Sequence, residues 1–136
     1  MNAIKSSELM KAMETSKQAA QQVGRPYSIA VMDSGRNLLA FLRMEGAPLG
    51  TIEAAQGKAF AASSLAMSTS DLSPLVQPGA ALYGLAHAQE RPFVSFGGGI
   101  PVFRNGALVG SVGASGGTIK EDIQVAQAIV DSLEAA

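Results

Sequence analysis

The stretch IPVFRNGALVGSVGAS, residues 100–115, carries the clearest turn signal in the chain. Asn105-Gly106 at its centre is typical of a tight β-hairpin, because both residue types tolerate the positive φ angles that such a turn requires. The flanking residues are largely apolar or β-branched, which predicts strands from Ile100 to Arg104 and from Ala107 to Ser115. Pro101 lacks an amide hydrogen and favours a strand edge or a strand start.

A second hairpin is predicted upstream of the first. Residues 27–32 alternate in a way that places Tyr27, Ile29 and Val31 on one face of a strand, and residues 38–43 form the returning strand after the turn residues 34–37. Residues 93–96 are predicted to form one further short strand. Together these segments predict a sheet of about five antiparallel strands.

Helices are predicted on both sides of the hairpins. The apolar spacing indicates helices over residues 4–23 and 51–67, and a short helix over residues 80–87. Gly24 follows the first helix in the position of a C-cap. Thr118 and Glu121 form a capping box that begins the last helix. The order of elements predicts one α/β domain of the α+β type over residues 1–136, with helices flanking the antiparallel sheet.

The overall composition narrows the classes of function. The net charge is −1, which gives no basic field for nucleic acid or for an anionic membrane. No cysteine is present, no apolar run reaches the length of a membrane helix, and no signal pattern begins the chain. A lone histidine gives no conventional zinc site. We therefore expect a cytoplasmic protein without a structural metal.

Charged side chains are missing from two long stretches. Residues 72–89 contain no formal charge apart from His87 if it is protonated, and residues 92–119 contain only Arg104. A domain of this size has too much surface to bury both stretches. Either a second copy of the chain or a ligand covers part of this surface, or the surface is neutral and has no partner. We expect a homo-oligomer.

Three charged residues are candidates for chemistry. Lys58 is the one charge between Glu53 and Asp71, and alanines surround it on its helix. It is either an anion-binding group or an amine for proton transfer, or else it forms a structural ion pair with Glu45 or Asp33 or extends its charge to solvent. Arg43 at a strand end suits a carboxylate, and Glu45 suits general acid–base catalysis. The alternative is that these three residues pair only with one another.

Two sets of glycines permit close approach of the backbone. Gly97, Gly98 and Gly99 are consecutive, and a second set has the pattern Gly-x-x-Gly-x-x-Gly from residue 110 to residue 116. This second pattern is not the dinucleotide-binding fingerprint. Each set either packs a sheet against a helix or lines a ligand site. The amides near residues 115–118 precede a helix and are candidates for binding an anion.

Several short motifs resemble a known family when they are taken in order. They are SIAVMD at 28–33, RMEGA at 43–47, TI at 51–52 with KA at 58–59, PGAALYG at 78–84, GGGIP at 97–101 and GSVGASGG at 110–117. The chain resembles the GlcG/HbpS-like family, which includes the C-terminal domain of PduO-type proteins. The resemblance implies a profilin-like fold, a homo-oligomer and, in some members, haem binding. Glu45 departs from the aspartate that is frequent in the family after Arg-Met.

Two hypotheses of function follow. The first is a small-molecule binding protein, with haem or a related tetrapyrrole as the ligand that the resemblance implies; His87, Gly97, Gly98 and Gly99 are then its candidate cofactor-binding residues. The second is an enzyme of the hydrolase, isomerase or lyase type that acts on a small carboxylate or oxo-acid. Arg43 would anchor this substrate, and Lys58 or Glu45 would transfer the proton. Either way, Lys58→Met is predicted to abolish function while leaving the fold intact.

Overall fold

The computed structural model describes residues 3–136, so the first two residues of the predicted domain lie outside the described residues. The helices and strands follow in this order: α1 (Ser6–Val23), β1 (Ser28–Asp33), β2 (Leu38–Arg43), α2 (Gly50–Leu65), α3 (Thr69–Leu72), β3 (Gly99–Arg104), β4 (Ala107–Ser115) and α4 (Ile119–Glu134). Two single 3-10 turns, Ser73–Val76 and Leu85–His87, lie between α3 and β3. The α+β prediction is confirmed.

The sheet is antiparallel throughout and has the order β2-β1-β4-β3. It has four strands among the described residues, one fewer than predicted, because residues 93–96 do not form a strand. The backbone of this segment bonds elsewhere: Phe93 N donates to Ala86 O, and Val94 N donates to Gly57 O of α2. Its hydrogen bonds therefore hold a loop onto a helix instead of extending the sheet.

Both predicted hairpins are present. Asn105 and Gly106 have φ angles of 52° and 78°, as the tight turn between β3 and β4 requires. The turn between β1 and β2 is held by the Asp33 carboxylate, which accepts from Gly35 N and Asn37 N at 2.9 Å each. At its end Arg36 has a φ of 69°, a conformation that side chains with a Cβ seldom adopt.

The helix ends follow local signals. Gly24 ends α1 with a φ of 82°, and Thr118 with Glu121 forms the expected capping box of α4. The helix α2 ends at Leu65, two residues before the predicted end, because Ala66 adopts a left-handed conformation. The predicted short helix over 80–87 is reduced to the turn Leu85–His87, since Gly84 is left-handed with a φ of 95°.

The helices pack on both faces of the sheet. Ile29 and Val31 of β1 face the core that α1 and α4 cover, whereas Ala30 and Met32 face the core that α2 covers. Small residues let α2 lie against the strands, and a Cβ placed on Gly113 of β4 would collide with the Ala55 carbonyl oxygen. The Gly-x-x-Gly-x-x-Gly pattern thus serves close packing at this position. None of the helices between residues 3 and 136 combines the length and hydropathy that a membrane crossing requires.

Candidate functional site

Lys58 is fully buried and its charge is paired. The side chain extends from α2 to the end of the sheet, where Nζ donates to Asp122 Oδ2 at 2.8 Å and to the Ala114 carbonyl oxygen at 2.9 Å. Lys58 Nζ also lies 5.0 Å from the centroid of the Phe96 ring. The expected partners Glu45 and Asp33 were wrong. Asp33 is engaged in its own turn, and the true partner comes from α4.

The Lys58–Asp122 pair is embedded in a polar cluster with Tyr27. Burial lowers the pKa of Lys58, and the Asp122 carboxylate opposes that shift. Burial, followed by the same carboxylate, raises the pKa of the Tyr27 hydroxyl. Among the buried side-chain nitrogen and oxygen atoms of residues 3–136, the Tyr27 hydroxyl is the one without a hydrogen-bond partner. An ammonium with no exposed surface is not accessible to a substrate in this conformation, and the contacts favour a structural ion pair.

Arg43 and Glu45 do not join Lys58. Arg43 donates through Nε and Nη2 to the carbonyl oxygen of Ala47, at 3.1 and 2.8 Å, and so closes its own loop. Glu45 is exposed and lines a separate cleft beside Arg25 and Met44. Within residues 3–136, no ion pair connects either residue to Lys58. The expectation that the three residues pair with one another was therefore wrong.

The glycines at 97–99 are buried packing positions. A Cβ on Gly98 would lie 2.7 Å from Lys58 Nζ, and one on Gly99 would collide with the Lys58 carbonyl oxygen. Gly97 is in similarly close contact with Ile123 of α4. Because a single added carbon already meets these atoms, the backbone here leaves no room for a ligand in this conformation. The three glycines bring the start of β3 against α2.

The amides that precede α4 are occupied by the chain's own carboxylates. Gly117 N donates to Asp122 Oδ1 at 2.9 Å, and Thr118 N donates to Glu121 Oε1 at the same distance. The Thr118 amide contributes most to lowering the pKa of Glu121, and the Arg25–Glu121 ion pair at 3.0 Å lowers it further. The expected anion site at residues 115–118 is therefore already filled from within.

Residues 77–98 are here called the central loop. Its residues Arg91, Pro92 and Val94 face α2 across a cavity, whereas Gly97 and Gly98 at its end are buried. His87 lies exposed on its 3-10 turn, and the loop also exposes large apolar side chains: Leu82, Tyr83 and Phe96. A cavity of about 360 Å³ lies between the loop and α2, lined by Glu53, Gln56, Gly57, Arg91, Pro92 and Val94. A second, of about 240 Å³, includes Arg36, Ser64, Leu85 and Phe93 in its lining.

Two arginines meet at the aromatic side chain between these cavities. The guanidinium carbons of Arg91 and Arg36 lie 4.2 and 4.9 Å from the centroid of the Phe60 ring. Neither arginine was predicted from the sequence, because the two are far apart along the chain and belong to no motif. The position of Arg91 between the two neutral stretches was the one available signal. Among residues 3–136, no cluster of His, Cys, Asp and Glu has the form of a metal site.

Comparison with known proteins identifies relatives of this chain. A 15.0 kDa protein from the dhaT-dhaS intergenic region of Citrobacter freundii is 38% identical over 112 residues, covering 82% of this chain and 79% of that protein. The corrinoid adenosyltransferase PduO of Salmonella typhimurium is 38% identical over 114 residues, 84% of this chain. The match spans only 34% of that longer protein, so the chain corresponds to about a third of it.

Solved structures share the fold along nearly the whole chain. The crystal structure of the PduOC:haem complex has a TM-score of 0.91 at 35% identity and covers 96% of this chain and 94% of its own. HbpS has a TM-score of 0.84 at 32% identity, with coverages of 95% and 89%. The model of the family described as haem degrading protein HbpS-like matches residues 4–131. The chain therefore belongs to the HbpS-like family.

Proposed function

We propose that this chain binds haem or a related tetrapyrrole on the surface formed by the central loop and the outward side of α2, within a homo-oligomer. The observation that carries the proposal is a coincidence of three chemical features in one place. The exposed Leu82 and Tyr83, the chain's one histidine and Arg91 all belong to the central loop. Arg36 lines a cavity together with Leu85 of the same loop, and among residues 3–136 neither arginine forms a salt bridge. The haem complex of a 35% identical relative supports the choice of ligand.

The residues present fit the chemical needs of a haem. The macrocycle needs apolar surface, which Leu82 and Tyr83 supply, with 45% and 67% of their area exposed. The iron needs an axial ligand, and the exposed His87 would hold it. The propionates need cations, which Arg91 supplies. When bound, haem would supply an iron centre whose reactivity depends on its axial ligand and on the polarity around it.

The open shape of this surface supports assembly. Large apolar side chains that stand half exposed in a neutral stretch are typical of an interface or a ligand site. Phe96, with 46% of its area exposed, and Leu82 would gain burial from a second copy of the chain or from the ligand. We propose a homo-oligomer in which copies enclose the ligand, and a cytoplasmic location, which fractionation of cells would check.

No contact of the described residues favours the alternative of an enzyme acting on a small carboxylate. Lys58 or Glu45 was to transfer the proton, yet Lys58 is buried against Asp122 and Glu45 lines a separate cleft. Arg43 was to anchor the substrate, yet both of its bonded nitrogens donate to the Ala47 carbonyl oxygen. The proposal is therefore one of binding.

Titration of the purified protein with haemin tests the proposed function. We expect a Soret band that saturates, and we expect His87→Ala to shift that band, because the axial ligand changes. Gln18→Ala, at an exposed position of α1, is the control outside the proposed site and should leave the band in place. Absence of any haemin-dependent Soret change in the unmodified protein would contradict the proposal. An unchanged spectrum and affinity in His87→Ala would remove only His87 from the site.

Sedimentation velocity at micromolar concentration tests the assembly. We expect species heavier than the chain mass of 13.9 kDa, both with and without haemin. A single 13.9 kDa species under both conditions would show that no oligomer forms.

A further inference from the structure

Two positively charged side chains converge on one aromatic ring. The Phe60 ring, 6% exposed, has the Arg91 guanidinium carbon at 4.2 Å from its centroid and that of Arg36 at 4.9 Å. Because both distances end at the same point, the two guanidinium carbons are at most about 9 Å apart, each within cation–π range of the ring. Phe93 packs against Phe60 with a centroid distance of 5.7 Å and supports this platform.

The chain does not neutralise this pair of charges with a salt bridge. Among residues 3–136, neither Arg36 nor Arg91 lies within ion-pair distance of a carboxylate. Arg36 donates to the Ser64 hydroxyl at 3.4 Å, and Glu53 lines the cavity beside Arg91 without pairing with it. Asp33, the acidic residue of the same turn as Arg36, is bonded to the amides of Gly35 and Asn37. Glu90 precedes Arg91 in the sequence and, like Glu53, forms no ion pair with it among these residues. The two guanidinium groups therefore keep donors for an anionic ligand.

The backbone of Arg36 has the conformation of a hairpin turn. Its φ of 69° lies in the left-handed region that glycine adopts at lower cost. Asn105 in the other hairpin turn and Ala66 at the end of α2 adopt the same region, so this φ by itself marks no ligand site. The side chain that this turn presents is directed to the Phe60 ring, which the Arg91 guanidinium also contacts.

We propose that Arg36 and Arg91 together recognise two carboxylate groups of one ligand. This inference rests on the proposed function and deepens it, because a haem carries two propionates at one edge of its macrocycle. A guanidinium presents a planar fork of donors that matches a carboxylate in bidentate fashion, and an ammonium does not. Both guanidinium groups pack on the Phe60 ring, and the exposed Leu82 and Tyr83 of the central loop would accept the apolar part of the molecule.

The test compares haemin with haemin dimethyl ester, in which both propionates are esterified. We expect the unmodified protein to bind haemin more tightly than the ester. Arg91→Gln and Arg36→Gly should each weaken haemin binding about tenfold, the effect of one lost charge-assisted contact, and leave binding of the ester unchanged. Arg91→Lys keeps the charge but not the planar fork of donors, so its affinity for haemin should lie between those of Arg91→Gln and the unmodified protein. Arg25→Gln removes an exposed arginine elsewhere on the surface and is the matched control.

The variants distinguish recognition from folding. Each variant loses a contact with the Phe60 ring, and glycine at position 36 adopts the positive φ at lower cost, so both proteins should fold and melt within a few degrees of the unmodified one. An unmodified protein that binds haemin and the ester equally, or arginine variants that retain full haemin affinity, would overturn this assignment and leave haem binding standing. An unmodified protein that binds neither compound would overturn the proposed function, and this assignment with it.

Discussion

Lys58 and the Arg36–Arg91 pair differ in how their positive charges are buried and paired. The Lys58 ammonium has no exposed surface and is enclosed by Asp122, the Ala114 carbonyl oxygen and the Phe96 ring. The two arginines are exposed, share one aromatic ring and have no carboxylate at salt-bridge distance among residues 3–136. The Lys58 contacts stabilise the fold, whereas the two arginines keep donors available for a ligand.

The difference between the two regions shows how a charge that is isolated in the sequence should be interpreted. Lys58 is surrounded by apolar neighbours because the helix around it is buried, and burial then requires a counter-ion inside the protein. A ligand site has the opposite requirement, since its charges must stay accessible and unsatisfied until the ligand arrives. The predictions below test whether the buried region around Lys58 serves the stability of the fold, as its contacts indicate.

The largest effect is expected from Lys58→Met. The change leaves the Asp122 carboxylate buried, with Gly117 N as its remaining hydrogen-bond donor, and we expect a loss of about 3–5 kcal/mol in the free energy of unfolding. This reverses the expectation from the sequence that the fold would stay intact. Urea unfolding followed by circular dichroism measures the loss.

Two further variants complete that experiment. Lys11→Met, at an exposed position of α1, is the matched control and should stay near the unmodified protein. Lys58→Met/Asp122→Leu removes both charges and should recover much of the stability, because no unpaired buried charge is left. A Lys58→Met protein with an unchanged urea midpoint and lost haemin binding would return Lys58 to the functional site.

A smaller loss is expected from Gly113→Ala. The added methyl group would collide with the Ala55 backbone, so we expect overpacking to reduce the free energy of unfolding by about 1–3 kcal/mol. Gly50→Ala at the start of α2 meets no atom within 4 Å and is the matched control. That control should be neutral or stabilise by up to about 1 kcal/mol. Equal urea midpoints for the two variants would show that α2 moves freely on the sheet.

The smallest effect is a pH dependence carried by Tyr27. In the unfolded chain the hydroxyl titrates near its ordinary pKa of 10.0, whereas burial and then Asp122 raise the pKa in the folded state. The unfolded state therefore loses its proton first, and above pH 10 this group lowers stability by up to about 1.4 kcal/mol for each pH unit. Lys58 acts in the opposite sense: its folded pKa is lowered, so its contribution to stability increases as the pH rises toward 10.5.

Tyr27→Phe isolates the tyrosine contribution and leaves the lysine in place. We expect the difference in the free energy of unfolding between the variant and the unmodified protein to shift in favour of the variant as the pH is raised from 8 to 11. Urea titrations at both pH values measure this shift. At pH 8 it should be about neutral, since the hydroxyl has no hydrogen-bond partner among the described residues. Tyr83→Phe changes an exposed tyrosine and is the control. A pH-independent difference between Tyr27→Phe and the unmodified protein would contradict the raised pKa.

Local signals in the sequence determined the elements whose hydrogen bonds are local. Asn105-Gly106 closes its hairpin, and Gly24 and Thr118 bound their helices, because each of these residues satisfies backbone groups only a few positions away. The motifs also indicated the family. The neutral neighbours of Lys58 indicated a buried charge without identifying its partner.

Only the tertiary structure decided the contacts made across the chain. Residues 93–96 have the composition of a strand, but their amides bond to α2 and to the loop. Asp122 reaches Lys58 from the other side of the sheet, and Arg36 and Arg91 meet over Phe60 although neither is near the other in sequence. Periodicity reports which side of an element is buried, whereas the partner of a buried charge depends on how separate elements pack together.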